Sequence, residues 1–160
     1  LRRQRQMCIR DRSKLEFASK FGATNTVDAS SGDPVAKVKE LTDGLGADYT
    51  FEVFGSSETV LNAYHSVKKG GQVIIVGIAP VTATAAIDPV SLVRFERTVK
   101  GCYYGSARPN IDMPTMVTLY KSGQIDIDGL ITREYTLDEI NQAYKDIDTT
   151  EIGRGVITKF

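Results

Sequence analysis

The sequence predicts an α/β fold built around a parallel sheet, and two observations carry that prediction. Helical and strand patterns alternate three times between residues 14 and 76. Such alternation is typical of parallel strands joined by right-handed helical crossovers. Residues 73–76 (VIIV) are four consecutive apolar residues, which suits a strand covered on both faces. We therefore expect a layered sheet with helices on both faces.

Capping and turn residues indicate where the expected helices and strands begin and end up to residue 104. Gly22 can end the opening helix because glycine tolerates a positive φ. Pro34 suits the first turn of the second helix. Ser56 can cap the third helix, and the pair Gly70-Gly71 should end it. The expected elements are helices over residues 14–21, 33–42, 57–68 and 89–95, and strands over residues 24–27, 48–54, 73–76 and 98–104.

The pattern changes in the last third of the chain. Asp112 and Pro114 should start a helix that ends near residue 121. Thr136 and Glu139 match a capping box, in which the two residues reciprocally satisfy free backbone donors. We also expect strands over residues 131–135 and 156–158, and a helix after the capping box that buries Leu137, Ile140, Ala143, Tyr144 and Ile147.

Composition is that of an ordinary soluble globular protein. The chain has 160 residues, of which 41% are hydrophobic and 25% are charged, and a length that fits one domain. No run approaches the about 18 apolar residues of a membrane helix. The two cysteines are Cys8 and Cys102. A chain without an evident disulfide framework fits a reducing compartment, so we expect a cytoplasmic protein.

Residues 1–12 form a basic arm. They carry five arginines and one aspartate, a charge of +4, whereas the other residues hold 15 basic and 19 acidic side chains, a charge of −4. The run RQRQMCIRDR resembles the translation of a transposon-end adapter used in DNA library preparation. We therefore interpret residues 1–12 as a non-native, adapter-derived segment. The alternative is a disordered basic tail, of a kind that can bind nucleic acid.

Six fragments in a fixed order carry a resemblance to a known family. They are KLEFASKFGAT, GADYTFEVFGS, GGQVIIVG, RTVKGCYYGSARP, LITREYTLDEINQAY and EIGRGVITKF. Over residues 13–160 the chain resembles the C-terminal part of the zinc-type alcohol dehydrogenases, in the medium-chain dehydrogenase/reductase family. The resemblance implies a truncated dinucleotide-binding Rossmann domain over residues 13–103. The returning C-terminal segment of the catalytic domain would follow over residues 104–160.

The resemblance implies a cofactor site at three strand ends, with NAD as the expected cofactor and NADP as the open alternative. Open parallel sheets bind ligands at the carboxyl edge of their strands. By resemblance, the first strand end lies beside the adenosine, the second passes the nicotinamide, and the third meets the carboxamide and the substrate pocket. The implied residues are Val53, Phe54 and Gly55 on the first, Val76, Gly77 and Ile78 on the second, and Cys102, Tyr104 and the pocket residue Tyr103 on the third.

Two basic side chains complete the implied cofactor site. By resemblance, Arg154 is expected to bind the pyrophosphate, which a planar guanidinium can contact through two phosphate oxygens at once, and the flanking Gly153 and Gly155 permit close approach. Lys14 is expected near the adenosine ribose. The alternative for each is an ordinary surface side chain. The resemblance gives His65, the single histidine, no role, and we expect it to face solvent or to be partly packed.

The family's zinc ligands and glycine-rich phosphate turn do not occur in this sequence. Cys102 and His65 stand at places that do not suit a closed zinc site. The string at residues 44–46 (GLG) follows a helix and lacks a third glycine. Asp11 resembles the acidic residue that reads the ribose hydroxyls, but it belongs to the arm. We expect zinc in the full-length parent only, and we expect this chain to be inactive alone.

The expected function of the parent is hydride transfer between an alcohol or aldehyde and NAD(P). By resemblance, the parent is a homodimer or homotetramer joined through the strand from Thr98 to Tyr104, with no nucleic acid or membrane partner. Three alternatives stay open. They are a zinc-free quinone or enoyl reductase of the same superfamily, a non-catalytic nucleotide-binding or assembly module, and a nucleic-acid-binding protein whose case rests on the basic arm.

Overall fold

A computed structural model describes residues 6–9, 12–147 and 153–160, with the backbone alone at residues 6–9, 12 and 13. Asp11 and most arginines of the basic arm lie outside the described residues. The strands are β1 (Gln6–Ile9), β2 (Asn25–Asp28), β3 (Ala47–Glu52), β4 (Val67–Ile75), β5 (Thr98–Gly101), β6 (Ile131–Thr136) and β7 (Arg154–Lys159). The helices are α1 (Arg12–Lys20), α2 (Pro34–Glu40), α3 (Ser57–Ser66), α4 (Pro89–Arg94), α5 (Pro109–Lys121) and α6 (Ile140–Ile147).

All the described strand pairs are parallel, which confirms the α/β class. β1 pairs with β2, the next three strands pair in the order β3-β4-β5, and β6 pairs with β7. A helix lies in the connection between the two strands of every pair. Among the described residues, the strands that the alternation assigned to one sheet therefore lie in two sheets, and β6 and β7 form a third. Among the described residues, no helix has the length and apolar character needed to cross a membrane.

The arm contributes β1, whose four residues pair with β2 in register from Gln6 opposite Asn25 to Ile9 opposite Asp28. A disordered tail is thus wrong for these four residues. The adapter origin of residues 1–12 stays a prediction, because a strand can form from any sequence with suitable propensity. The expected domain boundary between residues 103 and 104 likewise stays a prediction.

The hydrophobic core lies between α3 and the three-stranded sheet. Tyr64, Val67 and Val73 are fully buried, and α3 also buries Val60, as its helical spacing predicts. The Tyr64 hydroxyl meets Ser91 Oγ at 2.7 Å. Since Ser91 Oγ donates its own proton to the Asp88 carbonyl, Tyr64 is the donor in this bond. The partly buried side chains around this centre are Ala63, Ile75, Ile87, Leu92 and Val99.

The predicted boundary between α3 and β4 was wrong. The helix ends at Ser66 and the strand begins at Val67, so the glycine pair lies inside β4 rather than at a helix end. The register with β3 shifts at this point, because Ala47 faces Val67 whereas Tyr49 faces Gln72. Gly70 has φ 69°, and its N–H donates to the Phe95 carbonyl at 2.7 Å. Glycines within a strand are typical of such a bulge.

Two predictions about the later helices were also wrong. α5 begins at Pro109, so Pro114 lies inside the helix instead of starting it. Pro109 stands in the first turn, where a missing N–H costs nothing. The capping box at Thr136 and Glu139 is present, but the helix it opens buries none of its residues. Leu137, Tyr144 and Ile147 are exposed because no layer of the described residues covers that face.

Replacing Tyr64 by phenylalanine tests the buried hydroxyl pair. We expect Tyr64→Phe to lower the free energy of unfolding by about 1 kcal/mol, the usual net worth of one buried hydrogen bond. Urea denaturation of Tyr64→Phe, Ser91→Ala and the double variant should give a coupling energy of similar size. Tyr49→Phe, a half-exposed tyrosine of the same sheet, is the control and should change stability by less than about 0.5 kcal/mol. Additive single effects would contradict the pairing.

Candidate functional site

The carboxyl ends of β3, β4 and β5 lie side by side, where ligands bind in open parallel sheets. Glu52 is opposite Ile75, and Ile75 is opposite Gly101. The ladder continues beyond the strands, because Val76 N donates to the Glu52 carbonyl at 2.7 Å and Cys102 N donates to the Ile75 carbonyl at 2.9 Å. The structure therefore brings together the three segments that the sequence predicted as one site.

The turns that follow β3 and β4 touch through their backbones at two glycines. Gly55 has φ 89°, and a Cβ placed on it would stand 2.6 Å from the carbonyl carbon of Ile78. A Cβ on Gly77 would overlap the backbone nitrogen of Gly55. The resemblance placed Gly55 beside the cofactor. The structure adds a reason internal to the chain, since both positions must lack a side chain for the turns to meet.

Apolar side chains project from these two turns into solvent. Val53 is 70% exposed and Ile78 is 73% exposed, and Phe54 is exposed as well. Val76 and Gly77 are partly buried. Pockets for small ligands are commonly lined by apolar side chains beside a few backbone polar groups. The edge therefore offers apolar contact area next to hydrogen-bonded backbone, which suits a flat ring ligand.

The third strand end departs from the prediction in one respect. β5 ends at Gly101 rather than at Tyr104, so Cys102 follows the strand, and it is partly buried. Tyr103 and Tyr104 are largely exposed, and their rings pack edge to face with centroids 4.6 Å apart. Residues 104–106 all have φ near 50–70°, so the chain turns sharply here. Both tyrosine rings stand beyond the sheet edge.

Arg154 is the first residue of β7 and is exposed, with Ile131 of β6 opposite it. Its two flanking glycines are required by packing. A Cβ on Gly153, which has φ 92°, would stand 2.5 Å from the Leu130 carbonyl oxygen. A Cβ on Gly155 would stand 2.6 Å from the ring of Tyr135. The backbone on both sides of Arg154 is therefore tightly packed, whereas the Arg154 side chain is exposed to solvent.

A polar cluster supports this small sheet. Asp146 Oδ2 accepts from the Tyr135 hydroxyl at 2.8 Å and lies 2.7 Å from Arg133 Nη1. The hydrogen bond from Tyr135, a second one from Gln142 and attraction by Arg133 hold the pKa of Asp146 below its ordinary value. This carboxylate therefore contributes stability above its unfolded-state pKa, and the contribution is lost as pH falls through the folded-state pKa.

Lys14 and His65 take ordinary places. Lys14 lies in the first turn of α1, a helix that packs against β1 and β2, and it is partly buried. His65 is exposed on α3, with its ring edge-to-face on Tyr64, as expected for a residue without a site role. The three strand ends thus form one edge, whereas Lys14 lies on a helix that packs against β1 and β2, and Arg154 belongs to β7. Their cofactor roles stay predictions.

Sequence reasoning missed Glu52. Its side chain is only 3% exposed, and it is the one charged residue found buried among the described residues. The signal was available, because a carboxylate stood among the aromatic and branched residues of a predicted strand, three residues before a glycine. Buried charges are rare unless they are hydrogen-bonded, so this position called for an explanation.

A comparison with protein families matches residues 8–122 to the zinc-binding dehydrogenase family. The chain belongs to this family. An NDMA-dependent alcohol dehydrogenase from Amycolatopsis methanolica is 38% identical over 147 residues, which cover 90% of this chain and 39% of that protein. The resemblance that the six fragments indicated is therefore confirmed over nearly the whole chain.

Solved structures agree with this membership. Benzyl alcohol dehydrogenase from Acinetobacter calcoaceticus superposes with a TM-score of 0.89 at 31% identity, over 96% of this chain and 42% of that one. A zinc-binding dehydrogenase from Sinorhizobium meliloti 1021, solved with NADP bound, gives a TM-score of 0.84 at 28% identity, over 97% of this chain and 45% of that one. The chain thus spans about two fifths of the length of these relatives.

The zinc that the family name implies does not fit the described part of this chain. Within residues 6–9, 12–147 and 153–160, no three His, Cys, Asp or Glu side chains come together as a possible metal site. Catalytic zinc usually takes three protein ligands.

A matched pair of glycines tests the contact between the turns. Gly77→Ala should lower the free energy of unfolding by about 1–3 kcal/mol, because the new methyl group meets backbone that cannot move aside cheaply. Gly101→Ala is the control, since a Cβ there meets nothing within 4 Å. It should be nearly neutral in thermal or urea denaturation. Equal stability of the two variants would show that the turns are not in contact as described.

Proposed function

We propose that this chain supplies the nicotinamide-binding edge of an NAD(P)-dependent alcohol dehydrogenase, which transfers hydride between an alcohol or aldehyde and the cofactor. The observation that carries the proposal is the hydrogen-bonded row of three strand ends. Val76 and Gly77 donate to the Glu52 carbonyl, and Cys102 donates to the Ile75 carbonyl. This row fixes the backbone in the crevice where α/β sheets bind dinucleotides.

The residues at this edge fit a nicotinamide dinucleotide. Exposed Val53 and Ile78 offer apolar contact to flat rings, and the backbone around Cys102 and Tyr104 offers polar groups to a carboxamide. Tyr103 would form part of the wall of the substrate pocket. When bound, the nicotinamide accepts or gives the hydride at its C4 position. The chain's own part is to hold and orient that ring, because orientation of reactants supplies much of an enzyme's rate.

The grouping of the strands supports membership in a larger Rossmann sheet. In the doubly wound order 3-2-1-4-5-6, the first strand lies between the second and the fourth. If β1 stands in the place of strand two and β2 to β5 are strands three to six, the observed pairs β2-β1 and β3-β4-β5 are the two halves of that order. The position between β1 and β3 is the place of a first strand. This agrees with the proposal that a preceding part of the parent protein completes the sheet and carries the glycine-rich turn.

Arg154 offers the direct test of the cofactor site. In the complete enzyme that contains this chain, Arg154→Ala should weaken cofactor binding by about 1–3 kcal/mol, through loss of a charged hydrogen bond to the pyrophosphate. Quenching or enhancement of reduced-cofactor fluorescence measures the Kd, with both NADH and NADPH as ligands. Arg94→Ala on α4, another exposed arginine, is the control and should bind as the wild type does. Unchanged affinity of Arg154→Ala would remove Arg154 from the site.

The free edge of β5 supports assembly of two copies. β5 pairs with β4 on one side, and no described strand pairs with its other side. An unpaired strand edge invites another strand. We propose that two copies of the parent join through this edge, as expected from the resemblance, although the strand is shorter than predicted and ends at Gly101.

Hydrogen exchange tests this assembly. Along a strand in parallel pairing, N–H groups point alternately to the two sides. The N–H of Cys102 points to β4, where it donates to the Ile75 carbonyl. The N–H groups of Val99 and Gly101 therefore point to the free side of β5. In the assembled enzyme these two amides should exchange slowly, at rates similar to those of β4. Rapid exchange of both amides in the native enzyme, or a monomeric mass by analytical ultracentrifugation, would contradict pairing through β5.

A further inference from the structure

Glu52 collects an unusual number of hydrogen bonds for a single carboxylate oxygen. Its Oε1 accepts from Phe54 N, Gly55 N and Thr59 Oγ1, each at 2.8 Å. The first two donors belong to the turn after β3, and Thr59 belongs to the first turn of α3. The Glu52 side chain therefore fixes the turn after β3 and connects it through a hydrogen bond to α3.

The main chain of the same residue fixes the neighbouring turn. The Glu52 carbonyl accepts from Val76 N at 2.7 Å and from Gly77 N at 3.0 Å. The second carboxylate oxygen, Oε2, is buried without a hydrogen-bond partner among the described residues, and a Cβ on Gly77 would stand 2.7 Å from it. One residue thus holds the backbone of both turns that face the candidate cofactor site.

The direction of these bonds decides where the backbone acceptors point. A trans peptide places its C=O opposite its N–H, and the chain has no cis peptide among its described residues. Because Phe54 N and Gly55 N point to the buried carboxylate, the carbonyls of Val53 and Phe54 point away from it. The turn after β4 shows the same geometry, since Val76 N donates to Glu52 while the Ile75 carbonyl accepts from Cys102 on the other side.

We propose that Glu52 is a positioning residue for the cofactor. It acts by turning the Val53 and Phe54 carbonyls outward, as acceptors for the hydroxyl or amide donors of a dinucleotide. Glu52 itself touches no ligand, because its side chain is buried behind the turn. The inference rests on the proposed function, and it assigns to one interior carboxylate the backbone geometry on which that function depends.

Substitutions at Glu52 in the complete enzyme test the inference. Glu52→Ala removes the acceptor of three donors, and the Kd for the reduced cofactor should rise by at least about tenfold, which corresponds to about 1.4 kcal/mol. Glu52→Gln keeps an oxygen acceptor at the same reach, so its Kd should stay within about threefold of the wild type. The KM for the alcohol at saturating cofactor should change little in either variant. Val38→Ala, a buried residue of α2, is the control for loss of stability alone.

The outcomes separate this inference from the proposed function. A wild-type enzyme that binds neither NAD(H) nor NADP(H) overturns both. A wild type that binds, together with a Glu52→Ala variant whose Kd is unchanged while its Tm falls as in Val38→Ala, overturns only the positioning role. If Glu52→Ala does not fold, Glu52→Asp decides, because a carboxylate shortened by one methylene cannot reach all three donors. Its Kd should exceed that of Glu52→Gln, and equal values would overturn the inference.

Discussion

The close backbone contact between the turns after β3 and β4 is the constraint on which the candidate site depends. It requires glycine at two positions in different turns, Gly55 and Gly77, because a methyl group on either would meet the backbone of the other turn. Backbone cannot be displaced as cheaply as a flexible side chain. The contact therefore fixes the spacing of two strand ends before any ligand binds. Such preorganisation lowers the conformational entropy that the turns would otherwise lose when a ligand binds.

The interior of this chain is small compared with the apolar surface it leaves outside. Tyr64, Val67 and Val73 are the largest fully buried side chains among the described residues, whereas Val93, Met113 and many other large apolar side chains are exposed. Complete monomeric domains rarely expose so much apolar surface. The chain spans about two fifths of its relatives, so this surface is what one expects of a portion that packs against the rest of a larger protein. Stability of the isolated chain should accordingly be lower than that of the whole.

Sequence reasoning predicted the elements whose signals are local. The Ser56 cap, the capping box at Thr136, the buried face of α3 and the alternation of helix and strand all follow from residues within one or two turns of each other. The bulge at Gly70 could not be predicted in the same way. Two adjacent glycines suit a helix end equally well, and the choice depends on pairing with β3, which is distant in sequence. The start of α5 was misplaced for a related reason, since two prolines competed for the first turn.

At the candidate site, the sequence alone left the roles of two features ambiguous, the glycines beside Arg154 and the charged residue Glu52. Beside Arg154, the glycine pair suggested close approach to a phosphate, yet Gly153 and Gly155 are each already required by packing against Leu130 and Tyr135. The glycines alone are therefore weak evidence for a ligand, and the prediction for Arg154 rests on the family resemblance. Glu52 shows the reverse, because a residue type usually found on the surface here organises the backbone from within. The backbone geometry of this edge is thus set largely by a side chain that is buried behind it.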